Sequence, residues 1–244
     1  MSVNLLESAD DSLRDRLLRI QETISFACSR SNRHSSEVRL VAVTKTLPLS
    51  IVRKAYALGL RFIGENRTQE IVEKYGDGSL FRDCPEFCLH MIGHLQTNKV
   101  RKAVQIVSAI DSVDSIRLAE AISKAAEEGN RTIRVLLEVN TSSEPQKSGL
   151  APDDVLKCAE AVLKLPSLQL SGLMTVGPNV DDPDTIRRSF ALLRNTFDSV
   201  VRELNPPHWS VLSMGMSGDY PIAIEEGATE IRLGTALFGE RRTA

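Results

Sequence analysis

The sequence predicts an α/β protein, a single (β/α)8 TIM barrel with an additional N-terminal helix. From residue 38 onward, short β-branched runs alternate with helix-like patterns, and eight such runs can be counted. No linker or low-complexity tract interrupts the alternation. Regular βα alternation produces a parallel sheet, and eight units is the number that closes a barrel. Residues 1–244 are therefore expected to form one domain.

Residues 1–35 are predicted to form a helical extension packed on the barrel. The pattern is that of an amphipathic helix, in which apolar residues recur at near-helical spacing among charges. These apolar residues are Leu6, Leu13, Leu17, Ile20 and Ile24. Their shared face is expected to cover part of the barrel.

The eight predicted strands are short and bounded by turn residues. They span residues 39–44, 61–65, 87–92, 106–111, 133–139, 168–174, 209–214 and 229–233. The helices between them are predicted at residues 49–58, 67–75, 97–103, 115–128, 152–164, 183–204 and 218–226.

Residues suited to helix ends fall between these elements. Ser50 and Asp114 are predicted N-caps, and Pro152 and Pro183 suit first helical turns. The glycines expected to follow helices are Gly59, Gly129 and Gly227. An open doubly wound sheet is the alternative fold. It would usually carry a glycine-rich turn after its first strand, where this chain has residues 45–48 without glycine.

Composition favours an ordinary globular protein. The chain has 244 residues, 42% of them hydrophobic, and a formal net charge of -2. This charge gives no electrostatic footprint for nucleic acid or an anionic membrane. No apolar stretch approaches the roughly 20 residues needed to cross a bilayer. The four cysteines lack CxxC spacing, and with the acidic N-terminus they favour a cytoplasmic protein with reduced thiols.

Lys45 closes the apolar run 41–44 and is a candidate amine nucleophile. Burial of an amine favours its neutral form, which can condense with a carbonyl. The alternative is a lysine that reaches solvent or pairs with a carboxylate.

The carboxyl ends of the predicted strands carry polar side chains. In such barrels these ends face one pocket, which holds the chemistry. The residues in question are Lys45, Asn66, His90, His94, Asp111, Ser112, Asn140, Met174, Thr175, Ser213–Ser217, Arg232, Gly234 and Thr235. Small residues and hydroxyls after strands seven and eight suit a phosphate, although turns also use glycine without any ligand.

A lysine amine near a phosphate cradle suits pyridoxal 5'-phosphate, which carries both an aldehyde and a phosphate. Arg232 could then meet the pyridine nitrogen, and its permanent protonation would discourage protonation of the ring. The alternative for Arg232 is a salt bridge to Glu225, Glu226 or Glu230.

Several segments together resemble the pyridoxal phosphate homeostasis protein family, whose barrel is similar to the N-terminal domain of alanine racemase. The matching segments are residues 41–46, 64–66, 90–99, 138–140, 147–149, 172–174, 212–217 and 231–235. One departure is Leu89, where the family often has an aromatic residue.

The resemblance implies roles for seven residues. It implies Lys45 as the Schiff-base lysine and Arg232 facing the ring nitrogen. The remaining residues implied are Ser217, Gly234 and Thr235 around the phosphate, and Asn66 and Met214 lining the cofactor.

The family resemblance favours a non-catalytic carrier that holds pyridoxal phosphate and delivers it, with pyridoxal-phosphate-dependent apoenzymes as partners. Racemases of this class add a β-domain with a catalytic tyrosine, and we expect none here. The alternative is a racemase-like enzyme using Lys45 with His90 or Tyr220. A third, weaker alternative is a barrel enzyme acting on a phosphorylated sugar. A monomer is expected.

No metal site is predicted. His90 and His94 have the spacing of a helical zinc pair, but the segment reads as a strand end and lacks the HExxH glutamate.

Overall fold

Eight parallel strands form a closed barrel in chain order, and the first strand pairs with the last. The structure is a computed structural model that describes residues 3–142, 144 and 147–240, with side chains from residue 13. The predicted fold class is confirmed. The strands are β1 (Arg39–Val43), β2 (Phe62–Glu65), β3 (Cys88–Met91), β4 (Ala109–Val113), β5 (Ile133–Glu138), β6 (Leu168–Met174), β7 (Val211–Ser213) and β8 (Glu230–Leu233).

Helices surround this barrel. They are α1 (Val3–Arg30), α2 (Leu49–Ala57), α3 (Thr68–Tyr75), α4 (Ser79–Asp83), α5 (Val100–Val104), α6 (Ile116–Glu128), α7 (Val155–Val162), α8 (Pro183–Leu204), α9 (Tyr220–Glu225) and α10 (Thr235–Phe238). Short 3-10 turns lie at Ser35–Glu37, Thr97–Lys99 and Pro152–Asp154. No helix in the described ranges is both long enough and apolar enough to span a bilayer.

Two predicted N-caps are wrong. The N-cap of α2 is Pro48 rather than Ser50. The N-cap of α6 is Ser115, whose hydroxyl accepts the N–H of Leu118 at 3.3 Å. The Asp114 carboxylate instead lies 3.2 Å from Nδ1 of His94.

The helix α1 packs against α9 and α10. Its predicted apolar face is buried at Leu13, Leu17, Ile20 and Ile24, whereas Leu6 lies outside the described side chains. Arg16 adds a polar contact, since its Nε donates to the carbonyl of Leu237 over 2.8 Å. Helix α1 is thus fixed to the last helix of the barrel by both apolar packing and a hydrogen bond.

Side chains of the strands alternate between the barrel interior and the helix layer. In β1, the side chain of Ala42 belongs to the hydrophobic core cluster that the strands share with the helices. The side chain of Val41 points into the barrel, on the same face of β1 as Val43, which lines the cavity described below. A Cβ added to Gly64 on β2 would lie 3.1 Å from the Val41 side chain and 2.9 Å from that of Ile92. The glycine therefore leaves room for these larger side chains below the barrel mouth.

Candidate functional site

A cavity of about 590 Å³ opens at the carboxyl ends of the strands. Six of the seven residues implied by the resemblance line it, and only Met214 is missing. The complete lining consists of Val43, Lys45, Asn66, Ile92, Val176, Met216, Ser217, Gly218, Arg232, Gly234 and Thr235. Closure of the barrel therefore brings together side chains that lie up to 192 positions apart, from Val43 to Thr235.

Met214 lies elsewhere. It is fully buried in the hydrophobic core cluster, and Met216 lines the cavity in its place. Successive strand residues point to opposite faces. Because Ser213 points inward to Arg232, Met214 points outward. Gly215, with φ of 95°, then breaks the alternation and allows Met216 to face the cavity.

Lys45 occupies a tight turn at the end of β1 and is half-buried. The N–H of Leu47 donates to the carbonyl of Thr44 over 3.0 Å, so Lys45 and Thr46 are the two central residues of the turn. Thr46 adopts φ of 64°, a left-handed conformation that is uncommon for a β-branched residue. The turn gives Lys45 a defined position at the cavity wall.

A buried polar cluster lies behind this turn, between β1, β2 and α3. Glu65 is fully buried, and its Oε1 accepts hydrogen bonds from the hydroxyls of Thr44 and Tyr75, each over 2.7 Å. Lys74 pairs with the same oxygen at 3.1 Å. Burial raises the pKa of Glu65, and the charge of Lys74 opposes that change.

Arg232 is fixed at the cavity by two hydrogen bonds. Its guanidinium donates to the hydroxyl of Ser213 over 2.8 Å and to the carbonyl of Thr175 over 2.7 Å. Burial lowers the pKa of the guanidinium, and the nearby carboxylate of Glu230 opposes this most strongly. Two of the three partners considered from sequence are engaged elsewhere, since Glu225 and Glu226 each bind Arg187 at 2.6 Å.

The loops after β7 and β8 form the polar rim of the cavity. The N–H of Ala236 donates to the hydroxyl of Ser217 over 3.1 Å, which joins the two loops. Among the described residues, no hydrogen-bond acceptor is found for the backbone N–H groups of Ser217, Gly218 and Thr235. Free N–H donors beside small side chains suit an anionic ligand.

Glu138, at the end of β5, is a buried carboxyl that the sequence did not single out as a site residue. It is 8% exposed, and burial together with the charge of Asp114 raises its pKa to about 7, against the opposing charge of Arg232. Its only sequence signal is its place in the segment 138–140.

A second charged cluster fills the barrel below the cavity. His90 Nδ1 lies 2.8 Å from Asp111, and Arg134 lies 3.3 Å from both Asp111 and Glu230. His90, Asp111 and Glu230 could by spacing hold a metal ion. However, the guanidinium of Arg134 already supplies the positive charge among them, which disfavours a cation there. His94 lies apart and pairs with Asp114.

The alanine racemase N-terminal domain family matches residues 20–242 of this chain. A pyridoxal phosphate homeostasis protein from Aquifex aeolicus is 42% identical over 230 residues, covering 93% of this chain and 98% of the relative. Its human counterpart is 36% identical and covers 96% of this chain and 88% of the relative. The chain belongs to the pyridoxal phosphate homeostasis protein family.

Solved structures agree with this membership. PipY of Synechococcus elongatus, solved with pyridoxal phosphate bound, has a TM-score of 0.80 and 36% identity, covering 93% of this chain and 100% of PipY. The crystal structure of an unknown protein from Bifidobacterium adolescentis has a TM-score of 0.90 and 40% identity, covering 95% of this chain and 96% of that protein. Alanine racemase of Clostridium difficile is 14% identical with a TM-score of 0.76, and the match covers 96% of this chain and 58% of the racemase. This last similarity concerns the fold alone.

Proposed function

We propose that this protein holds pyridoxal 5'-phosphate as a Schiff base on Lys45 and acts in homeostasis and delivery of that cofactor. The observation that carries the proposal is one cavity in which the Lys45 side chain and the anion-suited rim of Ser217, Gly234 and Thr235 occur together. Family membership supports it, as does the similarity to PipY, which was solved with pyridoxal phosphate bound.

The residues present fit this cofactor. Pyridoxal phosphate supplies an aldehyde, and condensation with the Lys45 amine forms a C=N bond while the aldehyde oxygen leaves as water. The free N–H groups of Ser217, Gly218 and Thr235, with the Thr235 hydroxyl, would hold the phosphate. Asn66 and Met216 would line the ring, so Met216 takes the position expected of Met214.

Arg232 supports a carrier rather than an enzyme. A guanidinium facing the ring nitrogen is permanently protonated, so it donates to that nitrogen and leaves the ring a weak electron sink. No tyrosine of the described chain lines the cavity. Tyr75 is engaged with Glu65, and Tyr220 is buried. Proton abstraction from a bound amino acid would therefore be slow. Exchange of the lysine amine for another amine needs neither a strong electron sink nor a tyrosine base.

Borohydride reduction of the loaded protein tests the attachment. We expect imine absorbance on addition of pyridoxal phosphate, and after reduction a single labelled peptide containing Lys45. Lys45→Ala should abolish both signals, whereas Lys99→Ala, which removes an exposed lysine elsewhere in the chain, should leave them unchanged. A label on another lysine, or none, would overturn the proposal.

Deuterium exchange separates the carrier from a racemase-like enzyme. Loaded protein is incubated with single-enantiomer amino acids in deuterated water, and a carrier should give no α-proton exchange above the buffer rate. Appreciable exchange that disappears in Lys45→Ala would establish an enzyme. Transfer of the cofactor to an apoenzyme, followed by recovery of that enzyme's activity, tests delivery. Sedimentation tests the proposed monomer.

A further inference from the structure

The turn that carries Lys45 is held from outside the cavity by two charged residues of α3. Lys74 Nζ donates to the carbonyl of Thr44 over 2.9 Å, immediately before Lys45. The backbone N–H of Thr46, immediately after Lys45, donates to a carboxylate oxygen of Glu70. Lys45 thus stands between two backbone groups that are both bound by α3.

Glu70 and Lys74 also bind each other. Their side chains form an ion pair at 2.5 Å, one helical turn apart, and each is only 14% exposed. Lys74 in addition pairs with the fully buried Glu65. An i,i+4 pair at a helix surface is ordinarily mobile and weak. Here each partner makes a second bond to the turn, so the pair connects the backbone around Lys45 to the buried cluster.

The conformation of the turn requires such support. Thr46 has φ of 64°, which a β-branched residue adopts only at a cost. The bond from its N–H to Glu70 is available in this conformation. If that bond is removed, Thr46 can relax toward ordinary φ values and carry the adjacent Lys45 away from the cavity wall.

We propose that Glu70 and Lys74 are positioning residues that hold the strained Thr44–Leu47 turn and thereby keep the Lys45 amine aimed into the cavity. This inference rests on the proposed function of Lys45. Neither residue lines the cavity, so their effect is on the rate at which Lys45 captures an aldehyde rather than on direct contact with it.

The test compares rates of imine formation after mixing with pyridoxal phosphate. Glu70→Ala removes the acceptor, and we expect formation to slow by about tenfold, because small misplacements of reacting groups cost large factors in rate. Glu73→Ala is the matched control, since Glu73 lies on the same helix, is exposed and bonds to Gln69 instead. It should leave the rate unchanged.

Two further variants distinguish positioning from general stabilisation. Thr46→Gly in the Glu70→Ala background should restore most of the rate, because glycine adopts a positive φ without steric cost. Glu70→Gln keeps an oxygen acceptor for the Thr46 N–H and should also stay near the wild-type rate. Should Glu70→Ala fail to fold, Lys74→Met takes its place. It removes the donor to the Thr44 carbonyl and should also slow imine formation relative to Glu73→Ala.

The outcomes separate this inference from the proposed function. Absence of a Lys45 adduct in the wild-type protein would refute the proposed function itself. An adduct in the wild type, with Glu70→Ala as fast as Glu73→Ala, would refute the positioning role alone. Slowing that Thr46→Gly does not relieve would also overturn it, since backbone strain would then not be the cause.

Discussion

The guanidinium of Arg232 on β8 donates to the hydroxyl of Ser213 on β7 over 2.8 Å, inside the barrel and beside the cavity. A second bond reaches the carbonyl of Thr175, which follows β6. One side chain therefore ties three consecutive strands together where the proposed cofactor ring would lie. Its charge also faces Glu230 and Asp111, so the same residue balances buried carboxylates.

Replacing Arg232 by methionine should destabilise the protein. Removing one partner of a buried charged network leaves the remaining charges uncompensated, and we expect the free energy of unfolding to fall by about 3 kcal/mol. Urea denaturation at pH 7 measures it. Arg187→Met is the control, because Arg187 is 40% exposed in its pair with Glu225, and we expect a loss of about 1 kcal/mol or less. Equal losses in the two variants would contradict this account.

Stability without added ligand should decrease with rising pH through the titration of Glu138. Its pKa is about 7 in the folded protein against an ordinary value of 4.5. Below pH 4.5 the Glu138 carboxyl is protonated in both the folded and the unfolded state. Between pH 4.5 and about 7 the folded state keeps a proton that the unfolded state releases, so the free energy of unfolding falls as pH rises.

Glu138→Gln removes this titration and should therefore stabilise the protein above neutral pH. One pKa unit corresponds to about 1.4 kcal/mol. The free energy of unfolding of the variant, taken relative to that of wild type, should therefore be up to about 3 kcal/mol higher at pH 8 than at pH 4.5. Denaturation at both pH values measures the difference. Glu127→Gln, at an exposed position, should show the same pH dependence of stability as wild type. If Glu138→Gln also shows the wild-type pH dependence, the Glu138 carboxyl is already ionised in the folded protein at neutral pH.

Thr235→Val should weaken retention of pyridoxal phosphate without affecting pyridoxal, which lacks the phosphate. The substitution keeps the shape of the side chain and removes one hydroxyl at the cavity rim. A lost hydrogen bond to a charged group costs about 1.5 to 3 kcal/mol, and we expect a Kd at least about tenfold higher. Titration with both vitamers measures the change. An equal loss for pyridoxal would show that Thr235 does not contact the phosphate.

Gly172→Ala should disrupt the barrel between β6 and β7. Gly172 has φ of 151°, and an added Cβ would lie 1.8 Å from the carbonyl oxygen of Val211. The backbone of Val211 cannot move far enough to relieve this overlap. We therefore expect the free energy of unfolding to fall by more than about 4 kcal/mol, or the variant not to fold. Gly59→Ala, where no atom lies within 4 Å, should cost only about 1 kcal/mol for its φ of 91°. Thermal denaturation compares them.

Strand and helix positions were predicted closely because both depend on local periodicity. The 22-residue helix α8 has the predicted bounds of Pro183 and Leu204, since its proline start and apolar stripe lie within the segment itself. The short helices α4 and α10, of five and four residues, were not predicted. They are too short for a helical period to be visible.

The charged interior was not predictable in the same way. Arg134 could be assigned to a strand, but its partners Asp111 and Glu230 lie 23 and 96 positions away. Nothing near Arg134 in the sequence indicates that these side chains meet. Likewise, the bond between Glu70 and the Thr46 backbone depends on how α3 packs beside the end of β1.

The sequence by itself determined the eight βα units and placed Lys45, Arg232 and the glycine-rich loops at strand ends, because hydrophobic periodicity and turn residues act over a few positions. Only the tertiary structure decided which of these side chains share a cavity, that Met216 rather than Met214 lines it, and that α3 holds the Lys45 turn. Those outcomes depend on strand register and barrel closure, which join residues far apart in the chain.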